Sequence, residues 1–292
     1  MNMLSKKSNG LIMLIVAIMP ICGFGIDVYA PSLPTITHLL DATPSFGKLT
    51  IAIYIFGFGI GQFFAGPLSD RYGRKIILMT SLLVFAIASA LAPFSRSIDA
   101  LLFARLLQGL AVAGQVLNVR AIAADCFEGR QLRKVSIYIT AAWTLSPIMG
   151  PFIGGCLQAY VGWQAGFYFL AAYSVVLLLL VMLFLIESNN IRQALDLSTL
   201  LNNYRMIAKD WSFMKNVLGL TLAFTMINAF NIFAPFIVQV KMHHTPLFYA
   251  HMTLIIGCAC FMGSLVNRLI VDKVSQVTVM YFCIFWMLAA AG

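Results

Sequence analysis

Nine apolar runs, most of them close to twenty residues long, divide this chain, and they leave few folds open to it. Each helical crossing of a bilayer core takes about 20 consecutive apolar residues, and a backbone in hydrocarbon has no water to bond with. The runs cover 11–29 (with apolar character extending to 39), 49–68, 76–94, 101–119, 135–160, 165–186, 217–240, 248–266 and 277–291. Residues are 61% hydrophobic and only 10% charged, and the mean hydropathy is +0.91. The expected fold is an all-α integral membrane protein. No small-residue cleavage site follows the first run cleanly, so it reads as a first span and not as a removable signal.

Positive charge sets the expected orientation. Of 19 Lys and Arg, 15 fall in one set of connections, Lys48, Arg96 and Lys241 fall in the opposite set, and Arg105 lies inside a span. Short positive loops stay cytoplasmic. The N-terminus and the 187–215 segment are therefore placed inside. The net charge of +9 reads as topology, with some attraction to anionic headgroups. Basic residues scattered over several short loops do not make a nucleic-acid surface.

The layout divides the chain into an N-terminal six-helix lobe at 1–186, a cytoplasmic linker at 187–215 and a partial C-terminal lobe of about three spans at 216–292. Helical periodicity around 195–207 predicts a short surface helix in the linker. A faint repeat joins the halves: Gly-Pro-Leu-Ser-Asp-Arg at Gly66–Arg71 recurs as Gly-Ser-Leu-Val-Asn-Arg at Gly263–Arg268, six spans on. Three spans beside six read as an apparently truncated second lobe.

Asp27 and Arg105 are the two charges inside the apolar runs. Even a lenient insertion scale puts the cost of such a charge at about 2.5–3.5 kcal/mol. A carboxyl whose surroundings alternate between dry and wet takes up a proton on one side and loses it on the other, so Asp27 is the expected proton carrier. The alternative is a solvated charge at the outer end of a helix. Arg105 is expected either to pair with polar groups of the first span, to tune Asp27 through its field, or to be a buried structural base satisfied by carbonyls and Gln108.

Four segments carry a family resemblance. Between the second and third spans the chain reads Gly66-Pro67-Leu68-Ser69-Asp70-Arg71-Tyr72-Gly73-Arg74-Lys75. Span four holds Arg105-Leu106-Leu107-Gln108-Gly109. Span five holds Ser146-Pro147-Ile148-Met149-Gly150-Pro151-Phe152-Ile153-Gly154-Gly155. Span one ends Asp27-Val28-Tyr29-Ala30-Pro31-Ser32-Leu33-Pro34. In this order they resemble the major facilitator superfamily, and the first-span segment is similar to its Bcr/CflA group of drug:proton antiporters. The resemblance implies a major facilitator fold in the inner membrane of a bacterium. It also implies a conformational latch at Gly66, Asp70, Arg71, Gly73, Arg74 and Lys75, and an acid at Asp27 linked to protonation and substrate. In span five, Pro147 and Pro151 are expected to bend the helix, and Gly150, Gly154 and Gly155 to admit a close partner. Gly57 and Gly61 form a GxxxG read as helix packing.

Polar and aromatic residues inside spans are the candidate cavity wall: Tyr29, Tyr54, Gln62, Gln115, Asn118, Trp143, Asn228, Asn231 and Phe236, among 15 Met and 23 Phe. The six cysteines show no regular spacing and read as small apolar residues. His243, His244 and His251 read as a polar loop, with no metal site. No Walker loop and no nucleophile elbow is present in the sequence. The expectation is no enzyme, no cofactor and no protein partner. The function implied by the resemblance is proton-coupled efflux of drugs or other small lipophilic or cationic compounds by alternating access of two lobes. Its rivals are export of a specific metabolite or siderophore, proton-driven uptake, and a non-transporting remnant.

Overall fold

The computed structural model describes residues 2–189 and 197–270. Every regular element among them is helical. Seven helices are long and apolar enough to cross a membrane. They occupy the first seven apolar runs, and the chain is a multi-pass membrane protein. The ninth run, 277–291, lies outside the described residues.

The first span is broken in three, where a single helix was expected to 29. Helix α1 (Asn2–Ile18) ends ahead of Pro20, α2 (Ile21–Asp27) follows, and a 3₁₀ turn at Ala30–Ser32 leads into α3 (Leu33–Leu39). Prolines 20, 31 and 34 each lack an amide for the helical ladder, which is why the axis breaks at these points. Helices α4 (Pro44–Tyr72), α5 (Arg74–Leu91), α6 (Ile98–Cys126), α7 (Gly129–Tyr160) and α8 (Gln164–Phe184) complete the first half. Helix α7 runs unbroken through Pro147 and Pro151.

In the predicted linker, α9 (Leu197–Lys209) matches the expected surface helix. Helix α10 (Trp211–Phe236) begins six residues ahead of its apolar run, because Asp210 caps it by accepting from the amides of Ser212 and Phe213. It passes into a π turn at Ile237–Lys241. Helix α11 (Pro246–Ile270) fills the eighth run. The two repeat segments, expected to run into loops, are the last turns of α4 and α11.

Hydrophobic burial does little between helices in lipid, so small residues and polar bonds must do the joining. At Gly57 a Cβ would meet the carbonyl of Leu106 at 2.7 Å, and at Gly61 it would meet Ala113 at 2.6 Å, so the GxxxG face seats α4 on α6. Three further bonds run between helices. Gln108 Nε2 donates to Ser89 Oγ at 2.7 Å, Gln115 to the Ser81 carbonyl at 3.1 Å, and Ser174 to the Leu82 carbonyl at 2.8 Å. Gln115 is thereby committed to the α5–α6 seam. Its Oε1 has no hydrogen-bond partner among the described residues.

Candidate functional site

Asp27 closes α2 and is buried, with 3% of its surface exposed, so the solvated helix-end alternative does not hold. Its carboxyl is divided between two other helices. Oδ2 accepts from Ser146 Oγ of α7 at 2.7 Å, and Oδ1 accepts from Asn231 Nδ2 of α10 at 2.9 Å. Helix α7 reaches the acid because its facing positions lack side chains. A Cβ on Gly150 would overlap the Cβ of Asp27, and one on Gly154 would overlap the Val28 carbonyl. Gly155 opens an adjoining side of α7 to α11, where a Cβ would overlap that of Ala250. The span-five motif thus brings α2 against one face of α7 and α11 against another.

Arg105 is fully buried one layer away and does not touch the Asp27 carboxyl. Its Nη2 donates to the Gly25 carbonyl at 2.6 Å and its Nη1 to Gln108 Oε1 at 2.7 Å. The guanidinium lies 4.3 Å from the Tyr29 ring centroid and 4.6 Å from that of Tyr54. Tyr29 exchanges a 2.9 Å bond with Thr50, and Tyr54 donates to the Cys22 carbonyl at 2.9 Å. Arg105 therefore fastens the backbone that carries Asp27, through a carbonyl of the first span and the aromatic pair.

Above the acid, α10 closes on the first half. Lys48 Nζ sits 4.5 Å and 5.4 Å from the Phe233 and Phe236 ring centroids, and Gln239 donates to the Pro31 carbonyl at 2.9 Å. Of the predicted residues, Asn231 meets Asp27 here, while Phe236 lies beside Lys48 and Gly47. Asn228 is buried but bonds its own helix at the Phe224 carbonyl. Asn118 bonds Gly114 of its own helix and accepts from Ser69 of α4, away from the acid. Gln62 is exposed on α4, and Trp143 is half-buried, 6.5 Å from the Phe58 ring.

At the opposite end, Gly73 takes φ 104°, a conformation glycine adopts without strain, and links α4 to α5. Arg74 pairs with Asp70 at 2.7 Å and with Asp125 at 3.1 Å. Glu187, at the end of the sixth span, accepts from the amides of Arg74 and Lys75 at 2.9 and 3.2 Å. A side chain on Gly73 would occupy the place of that carboxylate. Arg71 lies over the Tyr72 ring at 5.3 Å, Lys75 donates to the Met182 carbonyl at 3.1 Å, and Gly66 packs on Leu117. These bonds join α4, α5, α6 and the segment after α8.

Sequence reasoning gave no role to Ser146 or Glu187. Ser146 lay inside a quoted motif, but its partner is 119 residues away; Glu187 stands 113 residues from Arg74. No spacing rule links such pairs. Among the described residues no group of three or more His, Cys, Asp or Glu is placed to hold a metal ion.

Comparison with known proteins gives the context. The model of the Major Facilitator Superfamily matches residues 15–292. An uncharacterized transporter of Rickettsia bellii is 30% identical over 254 residues, 84% of this chain and 61% of that protein. The bicyclomycin resistance protein homolog of Haemophilus influenzae is 31% identical over 202 residues, 68% of this chain and 50% of that protein. The crystal structure of a D-xylose–proton symporter superposes with a TM-score of 0.68 at 18% identity, covering 90% of this chain and 69% of that one, a likeness of fold. The chain thus spans between half and two thirds of the length of these two curated relatives. It belongs to the Major Facilitator Superfamily.

Proposed function

We propose that this chain takes part in proton-coupled efflux of small lipophilic or cationic compounds across a bacterial inner membrane, with its N-terminus in the cytoplasm. The observation that carries the reading is the Asp27 carboxyl, buried where α2, α7 and α10 meet and bonded to the last two. A buried acid in a membrane protein is a functional group by default, because its cost must be offset. The resistance named for the Haemophilus relative and the Gly-Pro segment of span five favour export.

The chemistry follows from the donor set. Asn231 can only donate through its amide nitrogen, whereas a serine hydroxyl can donate or accept. A proton arriving at the carboxyl is therefore accommodated at Oδ2, with Ser146 turning to accept. The Asn231 bond then changes from charge-assisted to neutral, which halves its strength to a first approximation. Protonation so loosens the tie between α10 and the first half. Loss of the proton restores it.

That switch suits two lobes, 1–186 and 216–292, rocking about a 187–215 linker to give alternating access. Gly66, Asp70, Arg71, Gly73, Arg74 and Lys75 serve as the latch on the cytoplasmic side, and Glu187 holds their helix end. Asn231 lines the path at Asp27, with Asn228 about one turn before it and Phe236 beyond it on the same helix. Tyr29 and Tyr54 act by seating Arg105, Gln115 and Trp143 serve packing within the first half, and Gln62 lies on an exposed face of α4.

The test is made in everted membrane vesicles holding an acid interior. Adding bicyclomycin or tetraphenylphosphonium should discharge the pH gradient in vesicles with the protein and leave empty vesicles unchanged. Equal traces in both, across such a panel, would reject the antiport reading.

A further inference from the structure

One buried tyrosine of α11 has no task in the arrangement just described. Tyr249 is completely buried, and its hydroxyl has no hydrogen-bond partner among the described residues. A buried hydroxyl left unbonded carries the full desolvation cost of that group, so an orphan in a packed interior calls for an explanation. Its position supplies one. Tyr249 forms a buried cluster with Ala234 and Val238. Ala234 stands at i+3 from Asn231 on α10, one turn beyond the amide that reaches Asp27, and Val238 follows in the π turn. Tyr249 and Asp27 lie within electrostatic reach of each other. Among the described residues Cys22 on its own helix and Tyr54 on α4 also feel the charge of the acid, and the Tyr54 hydroxyl is already committed to the Cys22 carbonyl.

The two helices that flank the acid differ in how they are held. Helix α11 is seated on α7, the helix of Ser146: Ala250 fills the place of a side chain at Gly155, and Ile148 fills that at Gly257. Helix α10 carries Pro235 and then the π turn, two breaks in regular bonding directly after Asn231. A carboxylate has about four lone-pair sites, and among the described residues two donors occupy them.

We propose that the Tyr249 hydroxyl is a positioning group for Asp27, the reserve donor that takes the carboxyl oxygen when Asn231 withdraws. It rests on the proton-carrier reading of Asp27. As α10 moves off, the acid exchanges Asn231 for Tyr249 while Ser146 stays. The carboxyl never lacks a second donor, and the hydroxyl is idle only in the arrangement where Asn231 is in place.

Infrared difference spectra of the full chain in lipid, taken between low and high pH, test this. The C=O stretch of the protonated Asp27 carboxyl is the band that Asp27→Asn removes. Tyr249→Phe keeps the ring and deletes the hydroxyl. It should move part of that band to higher wavenumber, as a carbonyl losing a hydrogen bond does, without lowering the melting temperature. Asn231→Ala should leave the band at a hydrogen-bonded frequency, and the double variant should shift all of it. Bands at the wild-type position in both Tyr249→Phe and the double variant would overturn the proposal and leave the proton carrier standing. No Asp27-dependent band in wild type would reject the carrier, and this inference with it. If Tyr249→Phe does not fold, isotope-labelled tyrosine in wild type replaces it: a Tyr249 C–O stretch that is unchanged between the two pH values overturns the proposal.

Discussion

Replacing Arg105 by lysine isolates what the guanidinium contributes, because both side chains carry one positive charge and the desolvation of that charge largely cancels between them. The arginine fork reaches two acceptors at once, the Gly25 carbonyl at 2.6 Å and Gln108 Oε1 at 2.7 Å. A lysine ammonium at the same site is a point donor and can keep one of them. The lost bond has a charged donor and strands a buried acceptor, which costs about 1.5–3 kcal/mol. The ammonium also cannot lie flat between the Tyr29 and Tyr54 rings, now 4.3 and 4.6 Å from the guanidinium, and the loss of one desolvated cation–π contact adds about 0.5–2 kcal/mol. Arg105→Lys should therefore destabilise the fold by about 2–5 kcal/mol. Reversible unfolding in mixed micelles, followed by far-ultraviolet circular dichroism, reads this directly. A variant within about 0.5 kcal/mol of wild type, the range of an unremarkable surface change, would refute the assignment of Arg105 as the strut of the first span.

Two further outcomes follow from local geometry. Gly154→Ala places a methyl against the Val28 carbonyl and should cost about 1–3 kcal/mol of overpacking, whereas Gly59→Ala on α4 meets nothing within 4 Å and should be neutral or slightly stabilising through helix propensity; the two melting temperatures, measured side by side, check this. Glu187→Gln leaves the first turn of α5 without its carboxylate, so the Arg74 and Lys75 amides should exchange hydrogen faster, with a local loss of about 0.3–1 kcal/mol that salt reduces.

Much of this architecture was legible because hydrocarbon is an exacting solvent. Apolar run length placed seven spans, and the Gly57–Gly61 pair and the span-five glycines marked the close contacts, since both signals are local. Asp27 and Arg105 stood out for their cost. Their partners did not. Whether Arg105 would meet a carboxyl or a carbonyl turns on a side-chain direction across 80 residues, and the bond to Gly25 falls two positions short of the acid. The choice of Asn231 over Asn228 turned on one helical turn: the first reaches Asp27, while the second folds back on its own helix. The break in the first span was written in Pro20, Pro31 and Pro34, but an unbroken apolar run masked it. Asn118, Gln115 and Gln62 show the opposite failure: polar residues in spans serve helix seams or exposed faces as often as they line a path.

In the proposed mechanism the Asp27 carboxyl carries the exchanged proton. Asp27→Asn is the direct perturbation, because a carboxamide can keep both bonds, its oxygen toward Asn231 and its nitrogen toward the Ser146 hydroxyl, while holding no exchangeable charge. The measurement is compound-driven discharge of a pH gradient in everted vesicles, with wild type and variant at equal amounts in the membrane. Wild type should discharge the gradient, and a variant that inserts and melts like it should not. Discharge at the wild-type rate by Asp27→Asn would contradict the mechanism.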